Sequence, residues 1–325
     1  MSVFRSNNGQ QMDSSAIVSS IFRHTNTWNR DNISRTAAYL SFFKQHPEIR
    51  WSFLASMVSR NAGWNMCDLE GATLSKALPL QVRRELFMAY EMANYLIFRD
   101  AYPQLLLYHY STKKQSSLFH LLPAFFVSNF MKEEWEAFVK GREKERLMRA
   151  MIINEQNVIQ RQVIEGEGKN KNIFETALFA IQDRLHFSTV IFPTKRGELF
   201  GSSVSGFKKV SARIYLGKKL ASILFSAELF PAFYQFALDT EHTGSRRDYE
   251  QYYSYRKQRE TPYLRACFPI IHHELLHLES WDTYTPIKRK WMNPVVGTAN
   301  WNMTEQYEKK QREIRLFASL KNILR

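Results

Sequence analysis

The sequence predicts an all-α fold. Three observations carry that prediction. Apolar residues recur at three- and four-residue steps along most of the 325 residues, Gly and Pro are scarce at 12 and 10, and a single segment alternates like a strand. Aromatic residues are plentiful, with 24 Phe, 15 Tyr and 7 Trp, and 44% of the chain is hydrophobic against 23% charged. That is globular composition with material for a substantial core, in one large domain or two.

Residues 1–12 are polar and are expected to be disordered. Asp31 or Asn32 can cap the helix of "NRDNISRTAAYLSFF". Pro47 suits the first position of a helix through "PEIRWSFLASMVSRNAGWN", stopping near Gly63. Pro79 opens the next, "PLQVRRELFMAYEMANYLIFRD". Between Arg142 and Ile164, Leu147, Met151, Val158 and Ile159 mark one apolar stripe. "EGEGKNKN", residues 165–172, is polar with two glycines and is the best linker, separating a helical lobe at 13–164 from another at 173–325. It serves equally as a loop between helices of one domain. Beyond it come "NIFETALFAIQDRLHF", a strand at Ser188–Pro193, a helical stretch around Ala221–Leu238, "SRRDYEQYYSYRKQRE", and a basic helix from Asn302 to Leu324. At most one or two short strands are expected.

The formal charge is +14, with a net +5 on residues 1–160 and +9 on residues 161–325. Such a field attracts nucleic acid, an anionic membrane surface or an acidic protein. The N-terminal stretch lacks the apolar core of a secretory signal. The most apolar run, Leu118–Phe130, is broken by His120, Pro123, Ser128 and Asn129 and falls short of the roughly 20 residues of a spanning helix. Cys67 and Cys267 lie far apart and read as free thiols in a reducing interior. A cytoplasmic protein is expected; oligomeric state has no signature here.

One segment carries a metal-site pattern. "FPIIHHELLHLESW", Phe268–Trp281, contains H-E-x-x-H as His273, Glu274 and His277. On a helix starting at Pro269, both imidazoles share a face and can grip one ion, while Glu274 takes a proton from metal-bound water. A helical wheel sets Glu274 inside an apolar arc of Ile270, Ile271, Leu275, Leu278 and Trp281, so the carboxylate needs a partner. The segment resembles the zincin metallopeptidase helix over about a dozen residues. It departs from it at Glu279, where that family has an apolar residue, and lacks a third His. Glu308 is the candidate third ligand; Glu305, nearer, is placed to form a capping box with Asn302. Zinc is the single cofactor the sequence suggests. The competing explanation is that these side chains are satisfied by polar neighbours.

"SMVSRNAGWNM" is similar to the Glu-Ser-Gly-Trp-Asn segment of lytic transglycosylases, but Asn61 stands where the catalytic acid would be, and an amide cannot protonate a glycosidic oxygen. Arg60, Asn61 and Trp64 remain a dense polar-aromatic cluster, read as a binding candidate or as helix capping with a buried Trp anchor. Farther on, Arg246, Arg247, Tyr253 and Arg256 interleave charge with rings, a pattern suited to phosphate contact and stacking, though more commonly that of an amphipathic helix with half-buried tyrosines. Phosphate-binding Gly motifs, nucleophile elbows and CxxC pairs are absent from the sequence.

"RTAAYLSFFKQHPEIRWSFLASMVSRNAGWNM" and "NIFETALFAIQDRLHFSTVIFP" resemble an uncharacterised family of cytoplasmic proteins from bacilli, defined as a domain of unknown function. The resemblance implies a bacterial source and supplies no activity, cofactor or catalytic residue. From the residues themselves, the leading expectation is a non-enzymatic helical binding protein with an anionic partner. The alternative is a zinc-dependent hydrolase using His273, Glu274 and His277.

Overall fold

In the computed structural model residues 4–164, 189–203, 206, 208–254, 261–273, 280–283, 285–295 and 301–323 are described, and every structural statement concerns these. Helices dominate, as the periodicity predicts, and the sheet among these residues is a two-stranded antiparallel hairpin. Helix α1 (Phe4–Trp28) reaches back into the segment expected to be disordered, whose first turns are polar and give no periodic signal. Helix α2 (Asn32–Gln45) is capped by Asp31, whose Oδ1 accepts from the Ser34 amide at 2.7 Å.

Helix α3 (Arg50–Asp68) begins three residues beyond Pro47, because the Ile49 amide first closes a turn onto the His46 carbonyl at 3.0 Å. It is the buried axis of the molecule: nearly every side chain from Trp51 to Cys67 is out of solvent. Gly63 does not end it. A Cβ at Gly63 would lie 2.8 Å from the His242 ring and collide with Asn32, so the absent side chain is what lets α3 approach both.

A single turn, α4 (Leu74–Ala77), precedes α5 (Leu80–Lys114), which starts directly after Pro79 as the sequence indicates. Its 35 residues run on through Pro103 instead of stopping at Asp100. Gln104 reinforces the turn beside the proline by donating its side-chain amide to the Asp100 carbonyl at 3.1 Å. A 3₁₀ turn (Phe119–Phe125), α6 (Asn129–Gly141, capped by Ser128) and α7 (Lys144–Ile159) complete the first part, and α7 passes into a π turn (Gln160–Ile164).

Strand β1 (Thr189–Pro193) matches the expected strand and pairs with β2 (Leu199–Ser203), Ile191 opposite Gly201. "LFGSS" has weak strand propensity, so β2 escaped the sequence pattern. Gly197 turns the hairpin at φ +81°, a left-handed conformation that favours glycine. The helical stretch expected around Ala221–Leu238 holds two helices, α8 (Val210–Leu224) and α9 (Phe230–Asp239), divided where Pro231 starts the second. Short helices α10 (Arg247–Glu250), α11 (Leu264–Cys267) and α12 (Arg289–Met292) lead to α13 (Thr304–Ile323). Asn302, expected as the N-cap, lies one residue before that position: the first intrahelical bond runs from the Tyr307 amide to the Met303 carbonyl, and Asn302 Oδ1 accepts from the Thr304 amide at 3.1 Å.

Residues 165–172, the linker of the sequence reading, lie outside the described residues. Side chains from both sides of that stretch share one core: the Phe53 ring on α3 meets Phe225, Phe230 and Tyr234 at centroid distances of 6.1, 5.8 and 5.6 Å. A smaller cluster joins Met66 and Cys67 to Leu264, Ile314 and Ala318. No helix of the described residues is long and apolar enough to cross a membrane.

Candidate functional site

Three regions hold the residues that the sequence singles out. At the C-terminal half of α3, Arg60 donates from its two terminal nitrogens to the carbonyls of Ala237 and Thr240, at 3.0 and 2.9 Å. Its charge thus sits on the last turn of α9, where a helix presents unpaired carbonyls. Burial pulls its pKa down to about 10, against the pull of Asp248. Asn61 stitches β1 to α3: its Oδ1 accepts from the Ile191 amide at 2.8 Å and its Nδ2 donates to the Ile191 carbonyl at 2.6 Å. Trp64, fully buried, donates to Asp248 Oδ2 at 3.0 Å.

Arg246 is inside the protein as well. Its Nε and Nη2 hold the Asp68 carboxylate, Nη2 also donates to Asn65 Oδ1, and Nη1 donates to the Tyr249 hydroxyl. Arg247 is exposed and reaches the Tyr263 hydroxyl at 3.4 Å; Tyr253 is half-buried with its ring 6.1 Å from Tyr249. Arg256 lies outside the described residues. Of the amphipathic helix read here, the described residues show one turn, residues 247–250.

Between these clusters stands a buried network the sequence did not announce. Asn32 Nδ2 donates to the Ser59 carbonyl at 2.8 Å, which turns its Oδ1 toward His242 Nε2 at 2.7 Å. That oxygen is an acceptor, so Nε2 carries a proton. His242 Nδ1 faces Asp248 Oδ2 at 3.2 Å, an oxygen that also accepts from Trp64 and from the Thr243 amide. Burial pushes the Asp248 pKa upward, but the neighbouring His242 together with the hydrogen bonds from Thr243 and Trp64 outweighs it and holds the carboxyl below its ordinary value.

The H-E-x-x-H segment is described only up to His273; Glu274 and His277 lie outside the described residues. From Phe268 to His273 the backbone is not helical, a correction to the helix drawn from Pro269, and Trp281 belongs to a separate 3₁₀ turn. The local reason is packing: the Phe268 ring stacks on Phe87 at 3.9 Å with planes 4° apart, and Ile271 joins the same small apolar cluster. The His273 side chain is buried against the Tyr95 ring, centroids 4.4 Å apart. Its Nε2 is 3.5 Å from Glu91 Oε1, at the outer limit of hydrogen bonding and not aligned as a bond. Both Glu91 oxygens accept from the buried Arg35 guanidinium, at 3.0 and 2.5 Å. Burial raises the Glu91 pKa, yet His273 and Arg35 together hold it below the usual carboxylate range. Glu308 lies on α13 and is half-buried. Among the described residues no three His, Cys, Asp or Glu side chains are gathered as a metal site.

Two stretches without an acidic residue, bounded by Glu198 and Glu228 and by Asp282 and Glu305, lie together in the fold. Residues 199–227 contain five cations and residues 283–304 contain three, and neither stretch has a single Asp or Glu. The fold zips these two together. The Gly201 amide donates to the Trp301 carbonyl at 3.1 Å and the Met303 amide to the Leu199 carbonyl at 2.9 Å. Farther along, Trp291 Nε1 donates to Ser211 Oγ at 3.1 Å, and Lys218 Nζ donates to the carbonyls of Trp291 and Asn293 at 3.0 and 2.8 Å. Lys218 is thereby used as an internal clamp. Lys208, Lys209, Lys288, Arg289 and Lys290 are exposed.

The profile of the family described as "Protein of unknown function (DUF2515)" matches residues 27–315. The chain is 47% identical over 303 residues to the uncharacterized protein YppC of Bacillus subtilis (strain 168), covering 93% of this chain and 94% of that one. No solved structure matches.

Proposed function

The chain belongs to the DUF2515 family of bacterial proteins, and we propose that it is a non-enzymatic binding protein whose partner is anionic. The observation that supports this is the joining of two acid-free stretches, 199–227 and 283–304, into one region where Lys209, Lys288, Arg289 and Lys290 face solvent. A carboxylate within either stretch would offset that field locally, and there is none. Basic side chains concentrated in this way raise the local concentration of a polyanion and speed its encounter, at the expense of salt sensitivity. The sequence-level binding candidates divide on the same criterion. Arg60, Asn61, Trp64 and Arg246 hold the interior together, whereas Arg247 and Tyr253 keep surface for a partner.

The test is a salt titration against three probes: a labelled DNA duplex, vesicles containing phosphatidylglycerol, and polyglutamate. Binding to at least one at low salt, weakening by orders of magnitude as salt rises several-fold, is the expected result. Absence of binding to all three at about 50 mM salt overturns the proposal.

A second reading, a zinc-dependent hydrolase, draws on one observation: His273 Nε2 is buried with no hydrogen-bond partner among the described residues. His273 and His277 would then hold the ion, with Glu274 as general base and Glu308 as third ligand. The Arg35 guanidinium locked to the neighbouring Glu91 opposes a cation there. Zinc content of the protein purified without chelator, beside His273→Ala, decides it: stoichiometric zinc lost in the variant supports this reading, and zinc far below one per chain removes it.

A further inference from the structure

A cavity of about 200 Å³ runs between α2, α3, α5, α7 and α8, floored at one side by Val190 of β1. Its walls are largely aliphatic, with Leu54 and Val58 from α3, Ala93 and Ile97 from α5, and Leu216 and Leu220 from α8. Two polar groups stand out on it. Tyr39 of α2 lines the cavity, is 3% exposed, and its hydroxyl has no hydrogen-bond partner among the described residues. Glu155 of α7 lines it too. That carboxyl is anchored from behind, Oε2 accepting from Trp51 Nε1 at 3.1 Å and Oε1 from Gln156 Nε2 at 3.0 Å. Glu155 sits deep among the helices yet keeps some accessible surface.

An unpaired buried hydroxyl is costly, and native proteins rarely leave one without a partner. We infer that this cavity is a binding site for a small, uncharged, mostly apolar molecule bearing one hydroxyl group, an alcohol or a phenol, whose oxygen accepts from Tyr39 and donates to Glu155. The chemistry of the lining selects the class. An apolar body matches the aliphatic walls and leaves little for a sugar or nucleotide to bond. A carboxylate or phosphate would find both lining guanidinium groups already engaged, Arg35 by Glu91 and Arg213 by Gln156 and Gln160. An ammonium head would meet the guanidinium groups of Arg35 and Arg213, which also line the cavity. A single hydroxyl gives Tyr39 an acceptor and Glu155 a donor at once. Size narrows the choice further. A dry protein cavity of about 150 Å³ accommodates one benzene ring, so this one suits a ring with a short alkyl tail. The inference rests on the cavity alone and stands apart from the anionic-partner reading.

Calorimetry with 4-propylphenol and 4-propylbenzoate on the full chain tests it. The phenol is expected to bind saturably below about 1 mM, and the benzoate not. Tyr39→Phe removes one oxygen and should weaken the phenol about five- to tenfold. Ala93→Phe fills the cavity and should abolish binding while the far-UV circular dichroism stays native. If that variant does not fold, Tyr39→Phe carries the test by itself. Absence of saturable phenol binding, equal binding of the benzoate, or undiminished binding in Tyr39→Phe each overturns the assignment.

Discussion

Arg246 and Asp68, 178 residues apart in sequence, form a forked ion pair at 2.8 and 2.6 Å that fastens the end of α3 to α10. The guanidinium carries two further donors to Asn65 and Tyr249 and lies over the Tyr307 ring at 5.6 Å. Replacing it strands a nearly buried carboxylate, which is the expensive way to break such a pair. Arg246→Ala should therefore lower the unfolding free energy by about 3–5 kcal/mol in urea titration. A loss under about 1 kcal/mol would mean that the pair is solvated.

Gly63→Ala sets two effects against each other. In an exposed helix the change gains about 1 kcal/mol from propensity. Here the new Cβ would lie 2.8 Å from the His242 ring and drive into Asn32, the two groups that share the 2.7 Å hydrogen bond. Overpacking of this kind costs about 1–3 kcal/mol, and the disturbed buried network adds to it. The net change should be destabilising, read as a lower thermal midpoint. A raised midpoint would show that α3 shifts freely.

Asp100 and Glu155 give the fold an unusual pH dependence. Burial pushes each carboxyl up to about 7, over the opposing hydrogen bonds from Asn154 and Gln104 to Asp100 and from Gln156 and Trp51 to Glu155. The folded state then binds more protons than the unfolded chain between about pH 4 and pH 7. Their contribution is fully present below the unfolded values and is lost as pH rises through the folded ones. Both keep some accessible surface, which screens the charge, so relative to the wild type the double variant Asp100→Asn, Glu155→Gln should gain about 1–2 kcal/mol between pH 5 and pH 8. Parallel stability curves for the two proteins would refute this.

Arg289 and Lys290 are exposed on the short helix α12, so reversing both charges should leave the thermal midpoint nearly unchanged. Against a DNA duplex the slope of log affinity on log salt should become shallower by about 2, one counterion for each lost phosphate contact. An unchanged slope would locate the anionic contact elsewhere.

Sequence reasoning succeeded where the information is local. Apolar spacing, Pro79 and Asp31 placed helices and a cap because each acts within a turn of itself. It faltered at Pro103 and Gly63, two residues that ordinarily end a helix and here lie inside one. In both cases tertiary packing overrides a preference of a few kcal/mol. The interior network was illegible for a different reason. Nothing near Trp64 in sequence points to Asp248, nor near Asn32 to His242, and one chain offers no covariation to link them. Arg60 and Arg246 looked like surface chemistry since charge implies exposure until a fold supplies carbonyls or a carboxylate to meet it. The acid-free stretches could have been noticed by reading charge in windows; their adjacency could not.

The burial of α3 also sets the order in which the chain is finished during synthesis. Asn61, Arg60 and Trp64 wait for partners 130, 177 and 184 residues downstream. At about 5–20 residues per second, a ribosome needs on the order of 10–40 s to deliver them. Throughout that interval Arg60 and Trp64 lack the partners they have in the finished fold, while α2, α5 and α7 already supply part of the cover of α3. The last third of the chain supplies the closing partners of Arg60 and Trp64. Truncation anywhere before Asp248 leaves α3 without that closure, so premature termination products should be degraded rather than accumulate as a stable N-terminal fragment.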